Sequence, residues 1–220
     1  MYGLVFLFFV IVVICVFVWN RKHVQYLKYF VIHLDGNNER RKHIDDMTRV
    51  LGQPIQKISA VRGSSISQEE FRRVQKQSTH FYNTNELGCY KSHQKAISML
   101  PYEACEYAVI FEDDFLITQE THDTILKLLD DVPSFDVIMI GNDLRGPPDY
   151  IVPSKKSGGS HAILVKCSQA HKIEHFLRTI TGPIDDRYYD LIMSYTIDGL
   201  VVQPSLVGVN TKLISTLGHY

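Results

Sequence analysis

The chain has 220 residues, 23 basic and 24 acidic side chains and a formal net charge of −1. This balance, without a long basic run, argues against nucleic acid as a partner. About two hundred residues follow the N-terminal apolar segment, the length of one domain with a sizeable core. The 4 cysteines are too few and too scattered to imply a disulfide framework.

The N-terminal segment is apolar without interruption over residues 4–19. A helix of this length, at ~1.5 Å per residue, is marginal for a hydrocarbon core of roughly 30 Å, but a thin bilayer accommodates it. Trp19 stands where an interfacial aromatic belongs, and neither a basic n-region nor a small-residue cleavage site is present. We therefore predict an uncleaved, single-pass transmembrane anchor over residues 1–19, with a buried core helix as the alternative.

A short linker, residues 20–28, connects this anchor to a domain predicted over residues 29–220. Arg21, Lys22 and Lys28 lie in the linker, and the positive-inside rule places such a flank in the cytosol. The flanking charge therefore favours the cytosolic face of the membrane. The lumen of the ER or Golgi is the alternative, which the cysteines do not exclude.

The rest of the chain alternates between strand and helix patterns. Strands are predicted at residues 29–34, 54–61, 107–111, 137–140, 162–165 and 200–202. Helices are predicted at residues 38–51, 67–74, 85–100, 121–132, 168–180 and 185–195, the second opened by a capping pair, Ser67 and Glu70. Residues 142–159, rich in proline and glycine, are predicted to form a mobile loop. The alternation predicts an α/β fold with a largely parallel sheet flanked by helices.

Three consecutive carboxylates, Glu112, Asp113 and Asp114, end the apolar run AVIFEDD at residues 108–114. Ligands of open α/β sheets collect at the carboxyl ends of the strands. Oxygen ligands of this kind suit Mg²⁺ or Mn²⁺, which often bind through carboxylates together with substrate phosphates. The motif predicts a metal–diphosphate site, and a solvated acidic turn after a core strand is the alternative.

Four stretches in order along the chain resemble glycosyltransferase family 25, which includes lipooligosaccharide and collagen galactosyltransferases. They are YFVIHLDGNNERR at residues 29–41, NELGCYKSHQKAI at residues 85–97, the strand ending in the three carboxylates, and Pro-Ile-Asp at residues 183–185 with the later Gln-Pro at residues 203–204. The second stretch matches a Glu-x-Gly-Cys-x-x-Ser-His pattern. His33 departs from the family, which usually has asparagine there.

The resemblance implies a GT-A-like, Rossmann-type fold and a nucleotide-sugar donor, usually a UDP-hexose such as UDP-galactose. It also implies a divalent cation, Mn²⁺ or Mg²⁺, and a hydroxyl acceptor on a glycan or glycoprotein. Transfer in this family is regarded as inverting. On this basis Asp114 is expected to be a direct metal ligand, and Asp113 to bind the metal or the donor ribose. Glu112 is expected to orient the turn or an adjacent basic group.

An inverting transfer needs a group that takes the proton of the acceptor hydroxyl. The resemblance points to Asp185 for this role, with Asp186 beside it, although an N-cap of the following helix explains Asp185 equally well. His93 and Lys91 are candidates for the donor phosphates, and Arg40 or Arg41 for the nucleotide end. A buried structural histidine and exposed helix charges are the respective alternatives.

Two other classes of function remain open. The first is a membrane-tethered scaffold that keeps the fold without turnover. The second is another metal-dependent nucleotidyl or phosphoryl transferase, because strand-end carboxylates serve those enzymes too. The sequence contains no Gly-x-x-x-x-Gly-Lys phosphate-binding loop, which disfavours the second class.

Overall fold

The computed structural model describes residues 27–78, 81 and 83–213. The predicted anchor, residues 1–19, and most of the predicted linker therefore lie outside the described part of the chain. Among the residues that the structure describes, no helix combines the length and apolar character needed to cross a bilayer.

A seven-stranded sheet forms the centre of the domain, with strand order β2-β1-β3-β7-β5-β8-β6. Its strands are β1 (Leu27–His33), β2 (Ile55–Ser59), β3 (Tyr107–Glu112), β5 (Val137–Gly141), β6 (Asp149–Ile151), β7 (Ala162–Lys166) and β8 (Gly199–Gln203). Five strands run in one direction, whereas β7 and β6 are antiparallel to their neighbours. The predicted α/β class with a mostly parallel sheet is confirmed. A separate two-stranded sheet pairs β4 (Phe115–Leu116) with β9 (Gly208–Val209).

In the described part of the chain, six α-helices cover the two faces of the sheet. They are α1 (Asn38–Leu51), α2 (Gln68–Gln77), α3 (Thr84–Met99), α4 (Thr121–Asp131), α5 (Ala170–Leu177) and α6 (Ile184–Met193). One apolar core joins α2, α3, α5 and α6 to one sheet face, and a second joins α1 and α4 to the other. Strand β3 supplies both cores, because Ala108 and Ile110 point to one face while Val109 and Phe111 point to the other.

The helix ends follow their capping chemistry. Asn37 accepts a hydrogen bond from Arg40 N at the start of α1, and Gly52 ends that helix in the left-handed conformation at φ 67°. Ser67 caps α2 by accepting from Glu70 N, but the helix continues to Gln77 rather than ending at residue 74. The α1 bounds agree with the prediction, and α2 extends one turn beyond it.

The predicted loop at residues 142–159 contains a short edge strand, β6, which pairs antiparallel with β8. The loop prediction was therefore wrong for Asp149–Ile151. Strand β1 likewise begins at Leu27, before the predicted start at residue 29.

Cys105 and Cys167 form a disulfide with a Cα–Cα distance of 6.3 Å. They meet because β3 and β7 are antiparallel neighbours, with Tyr107 opposite Lys166, so that the start of one strand lies beside the end of the other. The sequence analysis predicted no disulfide framework from the scattered cysteines and did not foresee this single disulfide. The two cysteines are 62 residues apart in the sequence, and they come close only because of the strand order in the sheet.

Candidate active site

The candidate site lies at one edge of the large sheet, where several chain segments converge. The carboxyl ends of β1, β2, β3 and β5 meet there with the amino end of the antiparallel strand β7. This is the edge at which ligands bind in open α/β sheets. The three carboxylates that follow β3 are therefore placed among residues from distant parts of the sequence.

Asp113 is the buried member of the acidic triplet, with 7% of its surface exposed. Its Oδ1 atom forms an ion pair with Arg40 Nη1, and its Oδ2 atom lies 3.2 Å from His33 Nδ1. The backbone N–H of Leu34 also donates to Oδ2, at 3.4 Å. Both carboxylate oxygens of Asp113 thus contact groups on β1 and α1.

One carboxylate oxygen of Asp114 has no partner among the described residues. Its Oδ2 atom lies 3.2 Å from Arg40 Nη1, but its buried Oδ1 atom accepts no hydrogen bond. Burial, and after it the charge of Glu112, raises the pKa of Asp114. A cation at Oδ1 would offset both effects, so the site has the chemistry that a hard divalent ion requires.

Glu112 points to the opposite side of the turn. Its Oε1 atom accepts a hydrogen bond from Ser160 Oγ at 2.9 Å and lies 3.4 Å from His93 Nε2. Burial alone would raise the pKa of Glu112, but His93, His161 and the Ser160 hydroxyl together lower it. Glu112 is therefore held as a carboxylate between α3 and β7.

Helix α3 carries the Glu-x-Gly-Cys-x-x-Ser-His pattern and lines the site with one face. A Cβ at Gly88 would lie 2.7 Å from Val61 O, so only glycine allows the segment after β2 to approach the helix this closely. Ser92 Oγ accepts from Val61 N at 2.8 Å and donates to Gly88 O at 2.7 Å. These two residues position the segment, while Cys89 and His93 face the cavity.

An open cavity extends over the acidic turn between α1, α3 and the segment after β2. Its lining includes these residues: Leu34, Arg40, Val61, Asn85, Cys89, His93, Glu112, Asp113 and Asp114. We refer to it as the triplet cavity. The predicted donor residues Arg40 and His93 and the predicted metal residues Asp113 and Asp114 meet in it.

A second cavity lies on the other side of Glu112. Its lining consists of these residues: Glu86, Cys89, Glu112, Asp143, Gly159, Ser160, His161, Pro183, Ile184, Asp185 and Asp186. We refer to it as the α6 cavity. Cys89 and Glu112 line both cavities, so the two spaces meet at these side chains.

The predicted catalytic pair lies at the mouth of the α6 cavity. Asp185 accepts hydrogen bonds from Gly159 N at 3.1 Å and from Asp186 N at 2.9 Å. Because α6 begins at Ile184 and Pro183 is its N-cap residue, the N-cap interpretation of Asp185 was wrong. Asp186 lies 3.6 Å from Lys156 Nζ, with a third of its side chain exposed.

The structure does not bring Lys91 to the acidic turn. Lys91 forms an ion pair with Glu70 on α2, and the nearby Lys95 donates to Ser59 O at 2.7 Å. Arg41 is exposed on α1. None of the three lines either cavity, so His93 and Arg40 are the predicted donor residues that the fold gathers.

Sequence reasoning missed the residues supplied by the loop before β7. Ser160 contacts Glu112, and His161 Nε2 lies 3.3 Å from Asp143 Oδ1 in the α6 cavity. A parallel β7 would have placed these side chains at the far edge of the sheet. The available signal was Ser160-His161 directly before an apolar strand, but it becomes informative only when that strand is known to be antiparallel.

The sequence model described as "Glycosyltransferase family 25 (LPS biosynthesis protein)" matches residues 26–148, more than half of the chain. The chain belongs to glycosyltransferase family 25. The family membership that the four motif stretches predict is confirmed. The family match contains Arg40, His93 and the acidic triplet, whereas Ser160, His161 and Asp185 lie outside it. Geometry alone brings Ser160 and His161 to the site, and the Pro-Ile-Asp stretch had already pointed to Asp185.

Several solved structures resemble this chain at low sequence identity. S. aureus TarS 1–349 is 11% identical with a TM-score of 0.48, covering 84% of this chain and 60% of that one. The same TarS region in complex with UDP-GlcNAc gives 10% identity and a TM-score of 0.48, with coverages of 89% and 61%. A glycosyltransferase involved in the glycosylation of the major capsid of PBCV-1 is 11% identical with a TM-score of 0.49, covering 86% of this chain and 94% of that one.

This chain thus spans about three fifths of the TarS region. No curated protein matches its sequence significantly.

Proposed function

We propose that this family 25 protein transfers a hexose, such as galactose, from a UDP-sugar to a hydroxyl of a glycan or glycoprotein, with inversion and with a divalent cation. The observation that carries the proposal is the Asp114 carboxylate, which lines the triplet cavity and whose buried Oδ1 atom has no partner among the described residues. In a GT-A-like arrangement this cavity would hold the donor, and the α6 cavity would hold the acceptor.

Asp114 is the residue that fits a bound Mn²⁺ or Mg²⁺, since its free oxygen is a hard ligand in a setting that disfavours an unpaired charge. Such an ion supplies Lewis-acid stabilisation for the negative charge of the leaving diphosphate. The two carboxylate oxygens of Asp113, in contrast, contact Arg40 and His33. We therefore assign Asp113 to holding Arg40 and Asp114 in place, rather than to direct coordination.

Arg40 and His93 contribute to the donor side. Arg40 is a buried cation, 3% exposed, at the floor of the triplet cavity. A guanidinium in this position attracts the charge of a donor diphosphate and orients it. His93 lies fully buried on the wall of the same cavity, beside Glu112.

Asp185 is the residue we assign to accept the proton of the acceptor hydroxyl. Two backbone N–H groups fix its carboxylate at the mouth of the α6 cavity, which meets the triplet cavity at Glu112. Fixed orientation is what an effective general base requires. His161, which lies 3.3 Å from Asp143, is the second candidate in the same cavity.

The Cys105–Cys167 pair supports an oxidising compartment for the domain. Disulfides persist in oxidising compartments and are rare in the cytosol. We therefore propose that the domain lies on the lumenal side of the secretory pathway, contrary to the cytosolic side that the flanking charge favours. The membrane anchor itself stays a prediction for residues 1–19, outside the described part of the chain.

The test is a panel of nucleotide sugars incubated with the whole chain, with and without Mn²⁺, in which nucleoside diphosphate release is measured. The proposal expects Mn²⁺-dependent release of UDP and free sugar from one UDP-hexose. Release of pyrophosphate would indicate a nucleotidyltransferase instead. No release by the folded protein, with or without a panel of glycan acceptors, would support an inactive scaffold.

A further inference from the structure

A cysteine, a histidine and a glutamate converge at the junction of the two cavities. One ligand atom from each of Cys89, His93 and Glu112 lies within 4.8 Å of the others. Cys89 and His93 are one helical turn apart on α3, so that both side chains leave the same face of the helix. Glu112 approaches them from the end of β3.

His93 provides the independent sign that this cluster has an additional partner. Its side chain is fully buried, yet neither Nδ1 nor Nε2 makes a hydrogen bond to another described residue. Nε2 lies 3.4 Å from Glu112 Oε1, outside ordinary hydrogen-bond geometry, and the ring edge packs against Tyr188. Buried imidazole nitrogens are normally satisfied, and a bound metal ion would satisfy one of the two nitrogens of His93.

The type of ligand follows from the three donor atoms. Sulfur, imidazole nitrogen and carboxylate oxygen together suit Zn²⁺, whereas Mg²⁺ and Mn²⁺ prefer oxygen ligands only. Three protein ligands leave one tetrahedral position open. That position can face solvent here, because Cys89 and Glu112 line both cavities.

We propose that Cys89, His93 and Glu112 form a zinc-binding site that is separate from the Asp114 site for the hard cation. On binding, the Cys89 thiol loses its proton to solvent as the metal–sulfur bond forms, and the neutral imidazole contributes a lone pair. The thiolate and the carboxylate then balance the two positive charges. The ion would fix Glu112 between the two cavities.

The test titrates the whole, metal-free chain with Co²⁺, which replaces Zn²⁺ and reports a thiolate ligand by a near-ultraviolet charge-transfer band. We expect the band to reach its full height at one Co²⁺ per chain. Zn²⁺ should displace the Co²⁺ and abolish the band, whereas Mn²⁺ should leave the band in place. The melting temperature should rise when Zn²⁺ is added. Cys89→Ser should remove the band. It should weaken Zn²⁺ binding by more than the roughly 10–100-fold that loss of an outer-shell partner costs.

Asp114→Asn is the matched control, because it changes the neighbouring carboxylate without touching the three ligands; its Co²⁺ band should equal that of the unaltered chain. Glu112→Gln gives a second reading if Cys89→Ser fails to fold, and it should keep the thiolate but weaken Zn²⁺ binding. Absence of the band in folded protein, or a band retained in Cys89→Ser, would overturn the site. Neither result bears on release of UDP, which tests the transferase proposal separately.

Discussion

Arg40, in the first turn of α1, forms a buried ion pair with Asp113 after β3, and the same guanidinium nitrogen lies 3.2 Å from Asp114 Oδ2. One arginine therefore links two neighbouring carboxylates that have different surroundings. Asp113 is enclosed by β1 and α1, whereas Asp114 lines the triplet cavity and has one oxygen without a partner among the described residues. This difference separates the structural aspartate from the proposed ligand.

Asp113→Asn should lower the stability of the fold. Arg40 would lose the more buried of its two carboxylate partners and keep Asp114, and breaking a buried pair costs up to about 3–5 kcal/mol. Urea unfolding monitored by circular dichroism measures the change. Asp46→Asn is the control, because the Asp46–Arg49 pair is exposed and its loss should cost about 1 kcal/mol or less. Equal effects of the two substitutions would contradict the structural role of Asp113.

Asp185→Asn should lower the rate of transfer to an acceptor by roughly 10²–10⁴-fold, the usual contribution of a general base. Asp185 accepts from Gly159 N at Oδ2 and from Asp186 N at Oδ1, and the single amide oxygen of asparagine can keep one of these two hydrogen bonds. Circular dichroism of the variant should therefore accompany the kinetics, to show that the fold persists. Kinetics with a glycan acceptor provide the measurement.

Asp190→Asn is the matched control for that experiment, since Asp190 on the same helix pairs with Lys156 at 2.9 Å, lines neither cavity and should change the rate little. If Asp185→Asn transfers normally while His161→Gln does not, the proton acceptor is His161, and the assignment of Asp185 fails.

Gly88→Ala should destabilise the protein even though alanine favours helices. The added Cβ would lie 2.7 Å from Val61 O and 3.0 Å from Gly63 N, and overpacking of this kind costs about 1–3 kcal/mol. Thermal unfolding measures the cost. Ser98→Ala on the same helix, whose hydroxyl donates only to the local Lys95 O, should stay near the unaltered value. A Gly88→Ala protein as stable as that control would refute the close approach.

The double substitution Cys105→Ser with Cys167→Ser should lower stability by about 2–5 kcal/mol, as removal of a native disulfide does in small secreted domains. Peptide mapping by mass spectrometry without reductant should recover the Cys105–Cys167 pair from protein isolated from its own cell. Free thiols at both positions in that protein would contradict the oxidising compartment.

Local sequence patterns were sufficient to predict most helices and strands and the central residues of the candidate site. The α1 bounds agree because an apolar helical face lies between two recognisable ends, Asn37 and Gly52. The carboxylates after β3 could be found because a buried strand and its acidic end are adjacent in sequence. The Gly-Cys-x-x-Ser-His pattern likewise placed His93 in the site.

Features that depend on distant contacts could not be predicted. Residue periodicity gives no direction to a strand, so the antiparallel β7, and with it Ser160 and His161, was missed. The ion pair of Arg40 with Asp113 joins residues 73 positions apart. Lys91 shares a helix with His93, but its contact with Glu70 on α2 depends on helix packing.

The most direct test of the account compares the unaltered chain with Asp114→Asn in Mn²⁺-dependent UDP release from the donor that the panel identifies. Loss of the ligand should remove several kcal/mol of transition-state stabilisation, a fall of roughly a hundredfold or more, with circular dichroism and melting temperature preserved. Full, Mn²⁺-dependent release by the folded Asp114→Asn protein would contradict the metal-binding role at the centre of the proposal.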